Sequence, residues 1–158
     1  MRPKIFLSRA ATLSGLQEET FDAWSAHLVE LEFQVDRLRR NRYSDVPWDK
    51  LRQILAQVDG VVAFGFSQAT VDVEGQQGEL SRSMRASPWI HIEAAMAIQA
   101  ATPVLAVPES GITEGVFESA IWSGYLYGIP AGTKPSRNAV PESWIAAVHL
   151  ASRERSLG

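Results

Sequence analysis

Two apolar runs constrain this chain more than anything else in it: "GVVAFGF" at residues 60–66 and "TPVLAVP" at residues 102–108. Neither alternates apolar with polar side chains, as a strand with one wet face does. Both are apolar almost throughout, the pattern of central parallel strands covered on both sides. They are far too short to span a bilayer. Parallel neighbours cannot be joined by a tight hairpin and need long crossovers, usually helical, so the rest of the chain must supply helices between strands.

It does. "KIFLS" (4–8) and "FQVDRL" (33–38) read as two further strands. "LQEETFDAWSAHLVEL" (16–31) places Leu16, Phe21, Trp24, Leu28 and Leu31 near helical spacing, and "PWDKLRQILAQV" (47–58) carries Leu51, Ile54, Leu55 and Val58 on one face. "SPWIHIEAAMA" (87–97) opens with Ser87, an N-cap residue whose hydroxyl is expected to take up a free backbone N–H, and Pro88, favoured in a first turn. "GYLYGIP" (124–130) reads as a fifth strand and "PESWIAAVHLASRER" (141–155) as a closing helix. The alternation predicts an α/β fold, a flavodoxin-like three-layer sandwich around a parallel sheet of about five strands. Two connections stand out. "RRNRYSDV" (39–46) is rich in arginine, and residues 67–86 form a stretch of about twenty residues without clear periodicity, beyond the usual loop and expected to be a lid, a partner surface or a disordered segment.

Composition narrows the function classes. The 158 residues fit one domain, 1–158, and carry a net charge of −3, so no global attraction to nucleic acid or anionic membrane is expected. Zero cysteines exclude thiolate catalysis, disulfides and zinc–cysteine sites. No long apolar segment follows "MRPKIFLS" (1–8), so no signal peptide is read, and the expectation is a soluble, cytoplasmic protein. Neither phosphate-cradling glycine motif is present. His27, His91 and His149 are too scattered to suggest a metal site. "GFSQA" (65–69) looks like a nucleophile elbow at Ser67, but that device needs a helix to follow and here a polar segment does.

One residue breaks its local pattern. Glu93 falls among apolar positions, four residues after Trp89 and beside Ile92 and Met96. Either it is an ordinary solvated helix glutamate, or the helix aims it at a ligand. In parallel α/β sheets ligands bind beyond the carboxyl ends of the strands. That rule places Ser8, Arg9, the segments after Leu38 and Phe66, and the start of the 87–97 helix along one rim. Arginines 37, 39, 40 and 42 are either a solvated loop face or, in one or two cases, phosphate ligands.

"KIFLSRA" resembles the first conserved box of TIR (Toll/interleukin-1 receptor) domains, and "SPWIHIEAAMA" resembles the TIR helix in which a serine and a tryptophan precede a glutamate. "VPWDKLRQILAQVDGVVAFGFS" and "TPVLAVP" are similar to the segments lying between and after them. The resemblance covers residues 3–108. It departs from the family in the long 67–86 connection, in Ile90 where cysteine is frequent, and in Asp45-Val46-Pro47, which lacks the usual glycine.

The resemblance implies cleavage of the nicotinamide–ribose bond of NAD, as substrate and not as cofactor, with Glu93 as the essential carboxylate. Such a site needs an aromatic wall and donors for the pyrophosphate. Trp48 or Phe66 is assigned to the first, Ser8, Arg9 and an arginine such as Arg39 to the second. Ser87 and Trp89 flank the glutamate, with Trp89 expected to pack in the core and fix the helix. Resemblance further implies a homo-oligomer completing the pocket, an activating sensor protein and a role in antiviral defence. A nucleoside 2-deoxyribosyltransferase-like enzyme is the second enzymatic reading and keeps the role of Glu93. A non-catalytic TIR-like module for assembly or nucleotide binding is the third.

Overall fold

A computed structural model describes residues 2–37, 47–118 and 128–157. Four strands, β1 (Lys4–Ser8), β2 (Gln34–Arg37), β3 (Gly60–Gly65) and β6 (Val104–Pro108), form a parallel sheet in the order β2-β1-β3-β6. The helices α1 (Gly15–Glu30), α2 (Pro47–Leu55), α3 (Pro88–Gln99) and α4 (Glu142–Leu157) cover it. This is the expected flavodoxin-like α/β sandwich. The reason is visible strand by strand: all six residues of β3 and all five of β6 are buried, which only a sheet covered on both faces allows.

Each strand splits its side chains between two cores. Ile5, Leu7, Val62, Phe64, Leu105 and Val107 face α1 and α4, meeting Phe21, Trp24, Leu28, Trp144 and Val148. Phe6, Val61, Ala63, Val104 and Ala106 face α2 and α3, meeting Leu51, Ile54, Ile90, Ala94 and Ala97. The first core is built of large aromatics. The second sets alanines on both sides of the β3/β6–α3 contact, so that α3 seats closely on the sheet.

Of the expected fifth strand, the described residues show one bridge. Ile129 pairs in parallel with Glu109 beyond the end of β6, and residues 119–127, which hold the start of "GYLYGIP", lie outside the described residues. The 67–86 segment is not an irregular loop. It is an antiparallel hairpin, β4 (Ser67–Glu74) and β5 (Leu80–Ala86). Nearly all of β4 is exposed, so neither of its faces needed the apolar alternation by which strands are recognised. The turn does carry a signal: Gly75 donates its N–H to the Glu79 carbonyl, and Gly78 sits at φ 79°, where glycine alone adds no strain. Among the described residues no helix is long and apolar enough to cross a membrane.

Candidate active site

In this strand order the chain leaves β1 in one direction and β3 in the other. The crevice at their carboxyl ends is therefore the topological switch point, where doubly wound sheets take ligands. Ser8 ends β1, in register with Ala63 of β3. Strand alternation turns Ser8 to the same face as Phe6, toward α3.

α3 presents Ile90, Glu93, Ala94 and Ala97 as its buried stripe. Glu93 thus occupies a core-facing position, 2% exposed, and the Ser8 hydroxyl donates to its Oε2. A carboxylate so buried is costly unless hydrogen-bonded, and the partner comes from the strand end itself. The two boxes of the sequence, "FLS" and "WIHIE", meet in this one bond. On the helix Glu93 lies between Trp89, four residues before it, and the buried positions Ile90, Ala94 and Ala97.

Trp89 does not pack in the core. It is 37% exposed and lies against Trp48, 38% exposed, with ring centroids 5.4 Å apart and planes inclined by 31°. The pair stands where α2 and α3 begin, at the rim end of both helices, and each residue is more than a third exposed. Phe66, assigned to the same wall, is 1% exposed and stacks on Phe64 at 5.6 Å; its ring is committed to the core. Ser87 is the N-cap of α3 by backbone geometry, but its hydroxyl caps no N–H.

The cationic side of the rim is partly occupied. Arg9 pairs with Glu18 at 3.1 Å and lies over the Phe21 ring. Arg37 pairs with Asp22 at 3.3 Å and approaches the same ring. The Arg9 side chain is about a third exposed and that of Arg37 about half, and such surface pairs exchange partners at little cost. Arg39, Arg40 and Arg42 lie outside the described residues.

A second carboxylate at the rim escaped sequence reading. Glu109, just beyond β6, accepts at Oε2 from the Gln17 side chain (2.7 Å) and from the Ser67 backbone N–H (2.8 Å). Gln17 also donates to the Ser67 carbonyl at 3.0 Å and closes a capping box with Ser14. The S-x-x-Q spacing at residues 14–17 signals that cap; nothing local signals Glu109, which lies 92 residues away from Gln17. With Ser67 opening a strand and engaged through its backbone, β3 leads into no helix and no nucleophile elbow forms.

His91, two residues from Glu93, accepts the Val116 N–H at Nδ1 (3.3 Å) and meets the Phe117 ring edge-on at 5.4 Å. Burial lowers its pKa from the ordinary value, keeping the imidazole neutral and its Nδ1 an acceptor. A cavity of about 720 Å³ lies at the opposite, amino end of the sheet among Val58, Asp59, Thr102, Pro103 and Arg155, and runs between α2 and α3 as far as Trp48. Among the described residues no group of three or more His, Asp or Glu side chains is placed to hold a metal. No family model matches the chain, and no curated protein sequence is similar to it.

Proposed function

We propose that this chain cleaves the N-glycosidic bond between nicotinamide and ribose in NAD, with Glu93 as the working carboxylate. The observation that carries the reading is the bond from Ser8 to Glu93, which holds a buried acid at the switch-point end of the sheet, where an α/β fold takes its ligand. Ordinary packing would put an apolar residue there, and departures from local pattern concentrate at functional sites.

Nicotinamide departs from a pyridinium with the bonding electron pair and leaves neutral, so little acid assistance is needed. Positive charge then grows on the ribose at C1′, and a fixed carboxylate in a water-poor setting stabilises it. Attack by water at C1′ gives ADP-ribose; attack by a hydroxyl of the same nucleotide gives a cyclic form. The exposed faces of Trp48 and Trp89 offer stacking surfaces for a base, and Arg9 with the 37–42 arginines offers the pyrophosphate its forks. Glu93 would serve a deoxyribosyl transfer by the same charge logic.

Chromatography of NAD incubated with the protein tests the reading. Nicotinamide release by the native chain and its loss in Glu93→Gln support it; release that survives Glu93→Gln overturns the mechanism. The projecting β4–β5 hairpin favours a second reading, an assembly module without turnover, which absence of release at every protein concentration would select. A pocket completed by a neighbouring copy makes activity rise faster than linearly with concentration.

A further inference from the structure

The β4–β5 hairpin is a two-stranded sheet of its own, separate from the central four strands. Among the described residues it is held at its base. Ala86 is buried, Met84 sulfur lies against Gly111, and Arg85 pairs with Glu114. Beyond that base its side chains are largely exposed, and an isolated two-stranded ribbon is marginal in water.

Its two strands are charged oppositely. β4 carries Asp72 and Glu74; β5 carries Arg82 and Arg85. Register sets Thr70 beside Met84, Asp72 beside Arg82 and Glu74 beside Leu80. Those six side chains share one face, since residues directly opposite in an antiparallel pair point the same way. Asp72 and Arg82 approach at 3.6 Å but stay 72% and 82% exposed, so both remain open to a further partner. Leu80 on the same face is 76% exposed.

This face complements itself. A second hairpin laid on it by a two-fold axis parallel to the strands reverses the strand order and keeps each residue's height. β4 then covers the partner's β5: Asp72 comes over the partner's Arg82, and Arg82 over the partner's Asp72. Each Leu80 comes over the partner's Glu74, against the methylenes of that side chain. Such a contact is isologous and closes at two copies. Stacking β4 on β4 would instead set acids against acids. The opposite face, with Ala69, Val71 and Val73 beside Arg85, Ser83 and Ser81, has no such pattern of charge.

We propose that the outer part of this hairpin face, Asp72 and Glu74 of β4 with Leu80 and Arg82 of β5, beyond the anchored Met84, is the surface through which two copies of the chain associate, with crossed Asp72–Arg82 pairs fixing the register. The proposal stands whether or not the chain cleaves NAD.

Sedimentation equilibrium of the full chain over a range of concentrations reads it directly. The native protein should dimerise, less so in high salt. Arg82→Asp and Asp72→Arg should each weaken self-association by about tenfold or more, because like charges now meet across the axis. Mixing the two variants should restore dimers, since at positions 72 and 82 one then presents two acids and the other two bases. The double swap within one chain should also restore them, which separates lost association from lost folding. Ser83→Asp, on the other face, should change nothing. A native chain that stays monomeric at every concentration, a mixture no heavier than its components, or association lost in Ser83→Asp and kept in Arg82→Asp would overturn the proposal.

Discussion

Ser8 and Glu93 lie 85 residues apart in sequence and share one hydrogen bond, from the last residue of β1 to the second turn of α3. The bond is buried, which decides how its loss will register. Ser8→Ala removes a donor and leaves a desolvated acid, so unfolding should become easier by about 1–3 kcal/mol. Glu93→Gln keeps the shape and should cost less stability while abolishing nicotinamide release. Denaturant titration beside the chromatographic assay distinguishes these effects. A Glu93→Gln protein as active as the native one would remove Glu93 from the chemistry, whatever its stability.

The tryptophan pair gives a second test. Trp48 and Trp89 are each more than a third exposed, so neither is a core residue whose truncation should collapse the fold. Stacking of a base on an aromatic face is worth about 1–3 kcal/mol by alanine substitution. Trp89→Ala should therefore raise the KM for NAD by about tenfold or more, while the melting temperature moves little and Trp89→Phe recovers much of the affinity. A large loss of melting temperature with unchanged KM would assign the pair to packing alone.

His91 makes stability depend on pH. Its folded-state pKa is lowered by burial from the ordinary 6.5, so the unfolded chain takes up the proton first as pH falls. The stability that neutral His91 contributes is present in full above about pH 6.5 and is lost progressively as pH drops from there through the folded-state pKa. Protonation also places an N–H where Nδ1 now accepts from Val116. Denaturant midpoints between pH 7.5 and 5 should fall more steeply for the native chain than for His91→Gln. Parallel slopes would show that other groups set the acid sensitivity.

Much of this architecture could be read before any coordinates, and the reason is burial. Lys4–Ser8, Gly60–Gly65 and Val104–Pro108 are covered on both sides, so their apolar runs were conspicuous. The hairpin left no such trace because almost nothing covers it. Glu93 was visible as a break in an apolar pattern, but its burial was not, because a stripe of Ile90, Ala94 and Ala97 and a stripe of Trp89, Ile92 and Met96 are equally apolar on paper. Glu109 was invisible for another reason. Its meaning comes from Gln17 and Ser67, two partners far away in sequence, and non-local pairs of common polar residues have no signature.

Gly65 closes β3 beneath the rim, and a methyl group there would sit 2.7 Å from the Phe117 ring. Its φ is not in the left-handed region, so the requirement is space and not backbone freedom. Phe117 is 1% exposed and is held in turn by His91, so the ring has no room to retreat. Gly65→Ala should therefore destabilise the protein by about 1–3 kcal/mol through overpacking. Phe117→Leu, itself destabilising, should relieve part of that cost when combined with it, so that the double variant is more stable than the two single losses added together predict. Thermal melts of the four proteins give the coupling directly. Strict additivity would mean that the alanine methyl meets some other neighbour, and that Phe117 does not seal the end of β3.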